Sequence, residues 1–359
     1  MTSDRIQKGK DGLTSKLEER QQAKTKGIRL NDQLEADCER IEKQSSGLPD
    51  SHQRIINESL ELLYGDHKDV IIGVNQLCKS ELLEDIAQNH QLMSALSRLL
   101  GDDNNRPMEV LFLLEKLFLS LSMLEDFHQI LLNQRVGALT LAVVDLEVKR
   151  AQQRVGTDST NMPSNQKGST FSGQLYFSKQ QGRVLFICLS ILNNLADDSA
   201  VLKKMIKRSL VDLVIQCIPP MTTQTEHLLV ALSLLKKTSA IVDRDVLKVE
   251  SIVRLTCLLS LPHNGVLCEV VITLFNLSFH QECIDLISAD EMIHSQLMAL
   301  LSNHFICKYS LKLLYHLSSR QDDRQKLQEA GITPCLIELL TCVEELDESF
   351  AGLLVNVSS

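Results

Sequence analysis

The stretch that decides the fold is residues 272–280, ITLFNLSFH, in which an apolar helical stripe ends at a polar residue followed by a small or apolar one. Six other stretches end in the same way. The polar positions of all seven are Gln76, Lys116, Asn194, Lys237, Asn276, His316 and Asn356. Most neighbouring positions lie roughly 40 residues apart, which is the period of armadillo and HEAT helical repeats. The exception is the interval from Lys116 to Asn194, which is about twice as long.

A second signal, an apolar pair that closes the preceding helix, recurs ahead of most of these positions. The pairs are Leu99-Leu100, Val143-Val144, Cys217-Ile218, Leu258-Leu259, Leu300-Leu301 and Leu339-Leu340. The next polar position follows each pair at a similar distance, except after Val144, where it is delayed until Asn194. The extra length is shorter than a whole repeat, and residues 152–182 are rich in Ser, Thr, Asn, Gln and Gly. The sequence therefore predicts one repeat plus an insertion at 152–182 that is poorly ordered or forms an appendage.

Each polar position follows a helix with one apolar face, as in residues 267–277. A shorter helix, such as 201–209, and a longer one, such as 331–342 with Pro334 in its first turn, fit between these positions. Three helices per unit favour armadillo repeats over two-helix HEAT repeats. We predict an all-α, armadillo-type helical repeat solenoid, a superhelix of about seven units of ~40 residues. We expect its third helices to end near residues 77, 118, 195, 238, 277, 317 and 357.

The domain boundaries follow from the same pattern. The predicted segments are a polar N-terminal segment, disordered or loosely helical, at 1–50, the first armadillo repeats at 51–151, the insertion at 152–182 and the remaining repeats at 183–359. Within the first segment, positions 1–27 carry seven Lys or Arg against four acids and are most simply a solvated tail.

Composition disfavours several other classes of protein. The net charge is −9, so nucleic acid is not the expected ligand. The ten Cys include no CxxC pair, and most lie in apolar helical patterns (Cys188, Cys217, Cys257 and Cys335), which is typical of a reduced intracellular protein. No segment reaches the ~18 apolar residues of a membrane span. We expect a cytoplasmic protein without membrane insertion.

The sequence offers no constellation for catalysis. It has no GxSxG, no phosphate-binding GxxxxGK[ST], no GxGxxG and no HExxH. The ten His have no His or Cys partner at metal-ligand spacing. We therefore expect no enzyme activity, no metal and no cofactor.

A solenoid instead offers a surface, because its third helices line the concave side. Asn at repeat spacing can donate to a partner's carbonyl and accept from its N–H. The candidate partner-binding residues are Lys116, Asn194, Lys237, Asn276, His316 and Asn356. The alternative, that Asn simply ends each helix, stays open at this point. A basic cluster at 203–208, with Lys236 and Lys237, suggests either an acidic partner segment or a solvated charged face.

Several segments, taken in order, resemble the armadillo region of the kinesin-associated protein family. They are SLELLYGDHKDVIIGVNQL (59–77), GALTLAVVDLEVKR (137–150), CLSILNNLADDSAVLKKM (188–205), EHLLVALSLLKKTS (226–239), VVITLFNLSFHQECIDLI (270–287) and SLKLLYHLS (310–318). The polar insertion fits as well, since that family interrupts its repeats after the equivalent of VVDLEVKR.

This family is the non-motor accessory subunit of heterotrimeric kinesin-2. The resemblance implies a scaffold that binds the tails of the two kinesin-2 motor subunits and couples them to cargo adaptors. It also implies a role in intraflagellar transport, at the cilium or flagellum and on microtubules through the motor.

Three other interpretations are weighed against this one. An importin-like peptide reader pairs each groove Asn with a Trp four positions earlier, but those positions are Ser190, Ile272 and Gly352 and the chain has no Trp. Another armadillo-type cytosolic scaffold would bind a peptide or a folded regulatory client on the same surface. An enzyme would be revealed only by turnover.

A further expectation concerns the C-terminal end of the chain. Members of the family continue beyond the equivalent of Ser359, so we expect this chain to be part of a longer array. In that case Phe350, Leu353, Leu354 and Val357 of the last helix would lack a covering unit. A natural short form capped by CVEELDES (342–349) is the alternative.

Overall fold

The structure is a computed structural model that describes residues 50–79, 82–102, 107–160, 177–221, 224–241, 249–342 and 348–358. The chain divides at Glu58 into Met1–Glu58, of which residues 50–58 are described, and a larger part, Ser59–Ser359. The predicted polar segment 1–50 therefore lies almost wholly outside the described residues. Throughout the described ranges the regular structure is helical, with no strand, which confirms the predicted all-α class.

Nineteen α-helices occur in these ranges, with short 3-10 turns at Glu125–Phe127, Leu258–Ser260 and Leu300–Ser302. In chain order they are α1 (Asp50–Leu62), α2 (His67–Lys79), α3 (Leu83–Gln88), α4 (His90–Gly101), α5 (Met108–Ser122), α6 (His128–Asn133), α7 (Val136–Thr160), α8 (Lys179–Leu195), α9 (Ser199–Ile206), α10 (Leu210–Met221), α11 (Thr225–Ser239), α12 (Val249–Cys257), α13 (Asn264–Leu277), α14 (Gln281–Ser288), α15 (Ile293–Ala299), α16 (Cys307–Leu317), α17 (Gln321–Glu329), α18 (Ile332–Cys342) and α19 (Glu348–Ser358).

In most units a short first helix, a second helix and a longer third helix follow one another, which is the predicted armadillo order; in the unit that ends in α13 the described residues hold two α-helices, and in the unit that ends in α8 the second helix is the longest. The third helices are α2, α5, α8, α11, α13, α16 and α19, and each contacts the next along the chain. They end at or close to the predicted positions, with α5 extending furthest beyond its predicted end, to Ser122. The solenoid is therefore a row of third helices, with the first and second helices of each repeat packed behind them.

Helix α13 shows why these sequences form third helices. Val266, Val270 and Leu274 recur at helical spacing and are buried. The imidazole of His263 accepts a hydrogen bond from the N–H of Val266 at 3.3 Å and caps the N-terminus. At the other end the hydroxyl of Ser278 donates to the carbonyl of Phe275 at 2.7 Å, which satisfies one of the carbonyls that the last turn leaves unpaired.

The same C-terminal closure recurs in other repeats. Hydroxyls donate to the carbonyl three residues earlier in Ser122 to Leu119, Ser239 to Lys236 and Ser318 to Tyr315, at 2.9, 2.8 and 2.7 Å. These serines end or directly follow a third helix, and Ser239, Ser278 and Ser318 each lie two residues after the repeated polar position. A small hydroxylated residue is needed there because its short side chain folds back onto its own helix.

The core is aliphatic. Cys188 and Cys217 are buried in it, as expected, and burial raises the pKa of the Cys217 thiol to about 12. Cys335 is half-buried, and Cys257 is exposed, contrary to the expectation that it lies inside an apolar pattern. The reason is that Cys257 is the last residue of α12 and points away from the face that buries Ile252 and Leu255.

Helix α7 differs from the sequence prediction. The pair Val143-Val144 does not close it, and it continues to Thr160, so that residues 152–160 of the predicted insertion are helical. The apolar stripe persists, since Val148 and Ala151 are buried. At the far end, Phe177 is buried and α8 begins at Lys179, inside the predicted insertion. Residues 161–176 lie outside the described residues.

A buried polar cluster ties the two ends of this interruption together. Glu147 on α7 is fully buried, pairs with Arg150, and accepts a hydrogen bond from the amide of Gln181 on α8 at 2.6 Å. Gln181 also forms a capping box with Ser178 and accepts from Arg154. We call Glu147, Arg150, Arg154, Ser178 and Gln181 the insertion stem. It fixes α7 against α8 whatever lies between them.

The last helix is better covered than the sequence suggests. Phe350, Leu353 and Val357 are 3, 0 and 3% exposed, and only Leu354 of the four is half-buried. Helix α19 contacts α16, α17 and α18, so the preceding helices already bury the face that was expected to need a further repeat.

The insertion stem can be tested by removing its buried carboxylate. Because hydrogen bonds to a charged group contribute about 1.5–3 kcal/mol, Glu147→Ala should lower the free energy of unfolding by about 2 kcal/mol or more. Urea unfolding followed by circular dichroism measures it. The control is Lys149→Ala, which breaks an exposed pair with Asp145 at 2.6 Å and should cost no more than ~0.5 kcal/mol. Equal losses would show that the cluster does not hold the stem.

Candidate partner-binding surface

The third helices contact one another in chain order, and we call their half-buried and exposed side chains the third-helix face. All six predicted binding residues lie on it, in α5, α8, α11, α13, α16 and α19. Lys116 is exposed, and the other five are half-buried. Each third helix from α5 to α19 therefore carries one of the six candidates, and Asn194 is the one that follows the insertion.

Five of these side chains reach back to the preceding repeat. The amide of Asn194 donates to the hydroxyl of Ser122 at 3.0 Å, that of Asn276 to Ser239 at 3.0 Å, and that of Asn356 to Ser318 at 2.9 Å. His316 Nδ1 hydrogen-bonds the hydroxyl of Ser278 at 2.8 Å. Lys237 donates to the carbonyl of Asn193 at 2.7 Å and pairs with Asp197 at 2.6 Å. We call these contacts the inter-repeat seam.

The seam involves the same serines that close the third helices. The serine that accepts from each Asn is the same serine that closes its own helix, so the polar side chain of one repeat binds the cap of the repeat before it. Sequence reasoning identified the polar positions but offered only two roles for them, partner binding or helix ending. The third role, a contact between repeats, was missed because spacing along the chain does not show which residues meet across it.

The seam leaves part of each Asn available. The side-chain NH2 groups of Asn194, Asn276 and Asn356 donate to serine hydroxyls, and no hydrogen bond from a described residue to their side-chain oxygens is present. Each amide therefore still presents an acceptor at repeat spacing. This is the chemistry that a partner's N–H groups require, so binding by these residues remains a prediction that the geometry permits.

The predicted basic cluster is divided in the structure. Lys203, Lys204, Lys207 and Arg208 are exposed, at or just after helix α9. Lys236 instead pairs with Glu269 of the next third helix at 2.8 Å, and Lys237 pairs with Asp197. The two lysines on the third-helix face therefore have acidic partners within the chain.

A row of rings was not anticipated from the sequence. Phe275 and Phe279 lie 5.2 Å apart, and His316 packs on both, with ring centroids at 5.1 and 4.4 Å. Tyr315 lies 6.1 Å from His316. We call Phe275, Phe279, Tyr315 and His316 the aromatic row. A signal did exist: five of the chain's fourteen Phe and Tyr lie between residues 275 and 315.

Burial lowers the pKa of His316 below its ordinary value. A neutral ring at neutral pH suits its position, because Nδ1 faces the Ser278 hydroxyl and the ring edges face two phenyl groups. The histidine therefore acts here as a seam residue and an aromatic contact.

One cluster combines a serine, a histidine and an aspartate. The Ser288 hydroxyl and His294 Nε2 both bind Oδ1 of Asp323, the latter at 3.0 Å, and His294 and Asp323 are 3 and 0% exposed. Burial raises the pKa of Asp323, but hydrogen bonds from His294 and Ser288 and the charge of Arg320 outweigh it and hold the pKa below its ordinary value. A nucleophilic serine must face the histidine, whereas this one faces the carboxylate. The cluster joins α14, α15 and α17.

The described ranges contain no group of three or more His, Cys, Asp or Glu side chains that could hold a metal ion. Within the same ranges, none of the helices has the length and apolarity required to cross a bilayer.

Comparison with known proteins supplies the family. The family model for kinesin-associated protein (KAP) matches residues 7–357, nearly the whole chain. The chain belongs to the kinesin-associated protein family. This confirms the resemblance carried by the six sequence segments.

Solved structures agree on the fold of this family member. Crystal structures of two engineered proteins superpose on it. One has a TM-score of 0.54 at 14% identity, covering 85% of this chain and 78% of its own. The other has a TM-score of 0.50 at 16% identity, covering 74% of this chain and 96% of its own. At such identities the likeness concerns the fold alone.

The seam makes a prediction about stability. Asn276→Ala removes the bond to Ser239, so we expect the free energy of unfolding to fall by about 1 kcal/mol. The matched control is Asn133→Ala, since Asn133 is exposed and bonds only Gln129 within its own helix. Thermal unfolding of both variants measures the difference. If Asn276→Ala is no less stable than Asn133→Ala, the seam does not hold the repeats together.

A second prediction concerns pH. Because the pKa of His316 is lowered in the folded protein, the unfolded chain takes up the proton first as pH falls, and stability is lost below the ordinary pKa of 6.5. His316→Gln should therefore lose less stability than the wild type between about pH 7.5 and about pH 5.5. Some pH dependence of stability should persist in His316→Gln, since burial lowers the pKa of His227 as well. The exposed His304→Gln is the control, and an identical pH profile for His316→Gln and the wild type would refute the assignment.

Proposed function

We propose that this protein is a non-catalytic scaffold that binds the tails of the kinesin-2 motor subunits on its third-helix face and couples them to cargo adaptors. The single observation that carries the proposal is the match to the kinesin-associated protein family over residues 7–357. The proposed setting is intraflagellar transport, in the cytoplasm and cilium, with microtubule association through the motor.

The geometry supports a binding role for this face. It runs through seven successive third helices, and it carries the side-chain oxygens of Asn194, Asn276 and Asn356, to which no described residue donates a hydrogen bond. A partner segment that crosses the helices can then be held at one point per repeat. Lys116, exposed on the second of these helices, adds a cation at the same level.

A different client is the second candidate. Another armadillo-type scaffold would use the same face for a peptide or a folded regulatory protein. The exposed basic residues Lys203, Lys204, Lys207 and Arg208 favour an acidic segment in such a client, away from the third-helix face. These residues therefore give a surface by which the two candidates can be compared.

The proposal predicts what co-purifies with the chain. Affinity capture from cells should recover both kinesin-2 motor subunits, and purified tail fragments should bind directly. Charge reversal at the cluster, Lys203→Glu with Lys204→Glu, should leave tail binding unchanged, because the tails occupy the third-helix face. Capture of a small GTPase or of a peptide with an acidic segment, without either motor subunit, would support the second candidate instead.

Tests of single binding residues need a parallel measurement of stability. Alanine at Asn194, Lys237 or Asn276 should weaken tail binding, but it also removes a seam contact. Lys116→Ala is the cleaner variant because Lys116 is exposed and outside the seam. Weaker binding by Lys116→Ala at unchanged thermal stability would support the third-helix face directly.

A further inference from the structure

The aromatic row concentrates aromatic side chains in a chain that has few of them. Phe and Tyr together contribute only fourteen residues of 359, and Trp is absent. Yet Phe275 and Phe279 of one repeat pack on His316 of the next, and Tyr315 lies beside His316. Phe279 is 66% exposed.

We propose that the aromatic row is the docking site of an acidic, amphipathic segment of a motor tail, with apolar side chains on the rings and carboxylates on Lys308 and Lys312. The inference rests on the proposed scaffold function. It adds which repeats bind the partner and which kinds of side chain the partner must present.

Contacts among three helices hold the aromatic row in place. Phe275 lies on α13, with Phe279 just beyond its end, and Tyr315 and His316 lie on α16. Tyr315 in turn lies against Gly352 of α19, where a Cβ atom would come within 2.5 Å of the ring. The seam bond between His316 and Ser278 fixes the imidazole against both phenyl rings.

Rings fixed in this way suit an apolar anchor. An aromatic side chain buries about 150–250 Å² when covered, and preorganised aromatic residues dominate the energetics of interfaces because little entropy is lost on binding. Phe279 is largely in water, and the half-buried rings beside it extend the same apolar surface. A leucine, methionine or aromatic side chain of the partner would remove that surface from water.

The charge beside the row is positive. Lys308, Lys312 and His316 recur at every fourth position of α16, so they lie along one line of that helix. The ammonium of Lys312 stands 5.8 Å over the Phe275 ring and 6.0 Å over the Tyr309 ring. Within the described residues neither lysine has a salt bridge, and Glu269 on the adjacent helix is already paired with Lys236. Complementary charge on the partner is therefore acidic.

A second copy of this chain fits the surface less well. In a two-fold contact each patch meets its own equivalent, so Lys308 and Lys312 would face the same two lysines. Like charges placed together in an interface disfavour that partner. The motor-tail segment avoids this conflict.

The test uses the full chain and a pair of synthetic helical peptides. One carries leucines at helical spacing flanked by glutamates, and its twin has lysine in place of every glutamate. Fluorescence anisotropy should show the acidic peptide binding at least about tenfold more tightly than the twin. Phe279→Ala should weaken the acidic peptide by about tenfold or more. Lys312→Glu should reverse the preference between the two peptides.

The chain supplies a matched control. Phe305 is 64% exposed, but it precedes α16 instead of following a third helix, and it packs on His304. Phe305→Ala should leave peptide binding unchanged. Equal affinity for both peptides, or equal losses in Phe279→Ala and Phe305→Ala, would overturn the proposal. Phe279→Leu, which keeps an apolar side chain, should retain most of the affinity and shows that the fold is intact.

The same variants separate this inference from the proposed function. If motor tails bind the wild type and both Phe279→Ala and Lys312→Glu weaken capture, both are supported. If the tails bind but neither variant matters, the docking site is refuted and the scaffold function stands. If no tail binds, the scaffold function and the assignment to a motor tail fail together. Sedimentation that shows a dimer broken by Phe279→Ala would assign the row to self-association instead.

Discussion

The structure depends on a hydrogen bond that crosses from one repeat to the next. A serine hydroxyl at the end of a third helix donates to its own last turn and accepts from an Asn of the following repeat. One group thus closes a helix and joins two repeats at once. Because repeat proteins are stabilised mainly by contacts between neighbours, a polar contact at each of the five junctions from α5–α8 to α16–α19 fixes the register that apolar packing alone would leave free to slide.

The seam also explains why the repeated polar residues need not be identical. Asn donates to the serine, His bonds the serine through a ring nitrogen, and Lys reaches the carbonyl of Asn193 instead. Each solution places a hydrogen-bonding group at the same level of the third helix. Where His replaces Asn, the larger ring also fills space between two phenyl groups, and this is where the aromatic row arises.

Much of the fold could be predicted from the sequence, because the regular repeat period and the apolar stripe are local patterns. The third-helix ends, the long interval before Asn194 and the helix containing Pro334 all followed from them. The extension of α7 did not, because its polar residues resemble a loop until Glu147 is seen to meet Gln181 of the next helix. The contacts on the third-helix face were harder still to predict from the sequence. Asn276 was placed on the correct face, but its bond to Ser239 and the meeting of Phe279 with His316 depend on the stacking of repeats.

The insertion stem has a consequence for the way such a chain varies. Since Gln181 of α8 bonds both Glu147 and Arg154 of α7, the two helices on either side of residues 161–176 meet at a fixed junction. The entropic cost of a loop closed by fixed ends rises only slowly with its length. Segments of very different size can therefore occupy this position without disturbing the repeats on either side. The junction is accordingly a place where an evolving lineage can gain or lose sequence, and where a reporter domain can be spliced in.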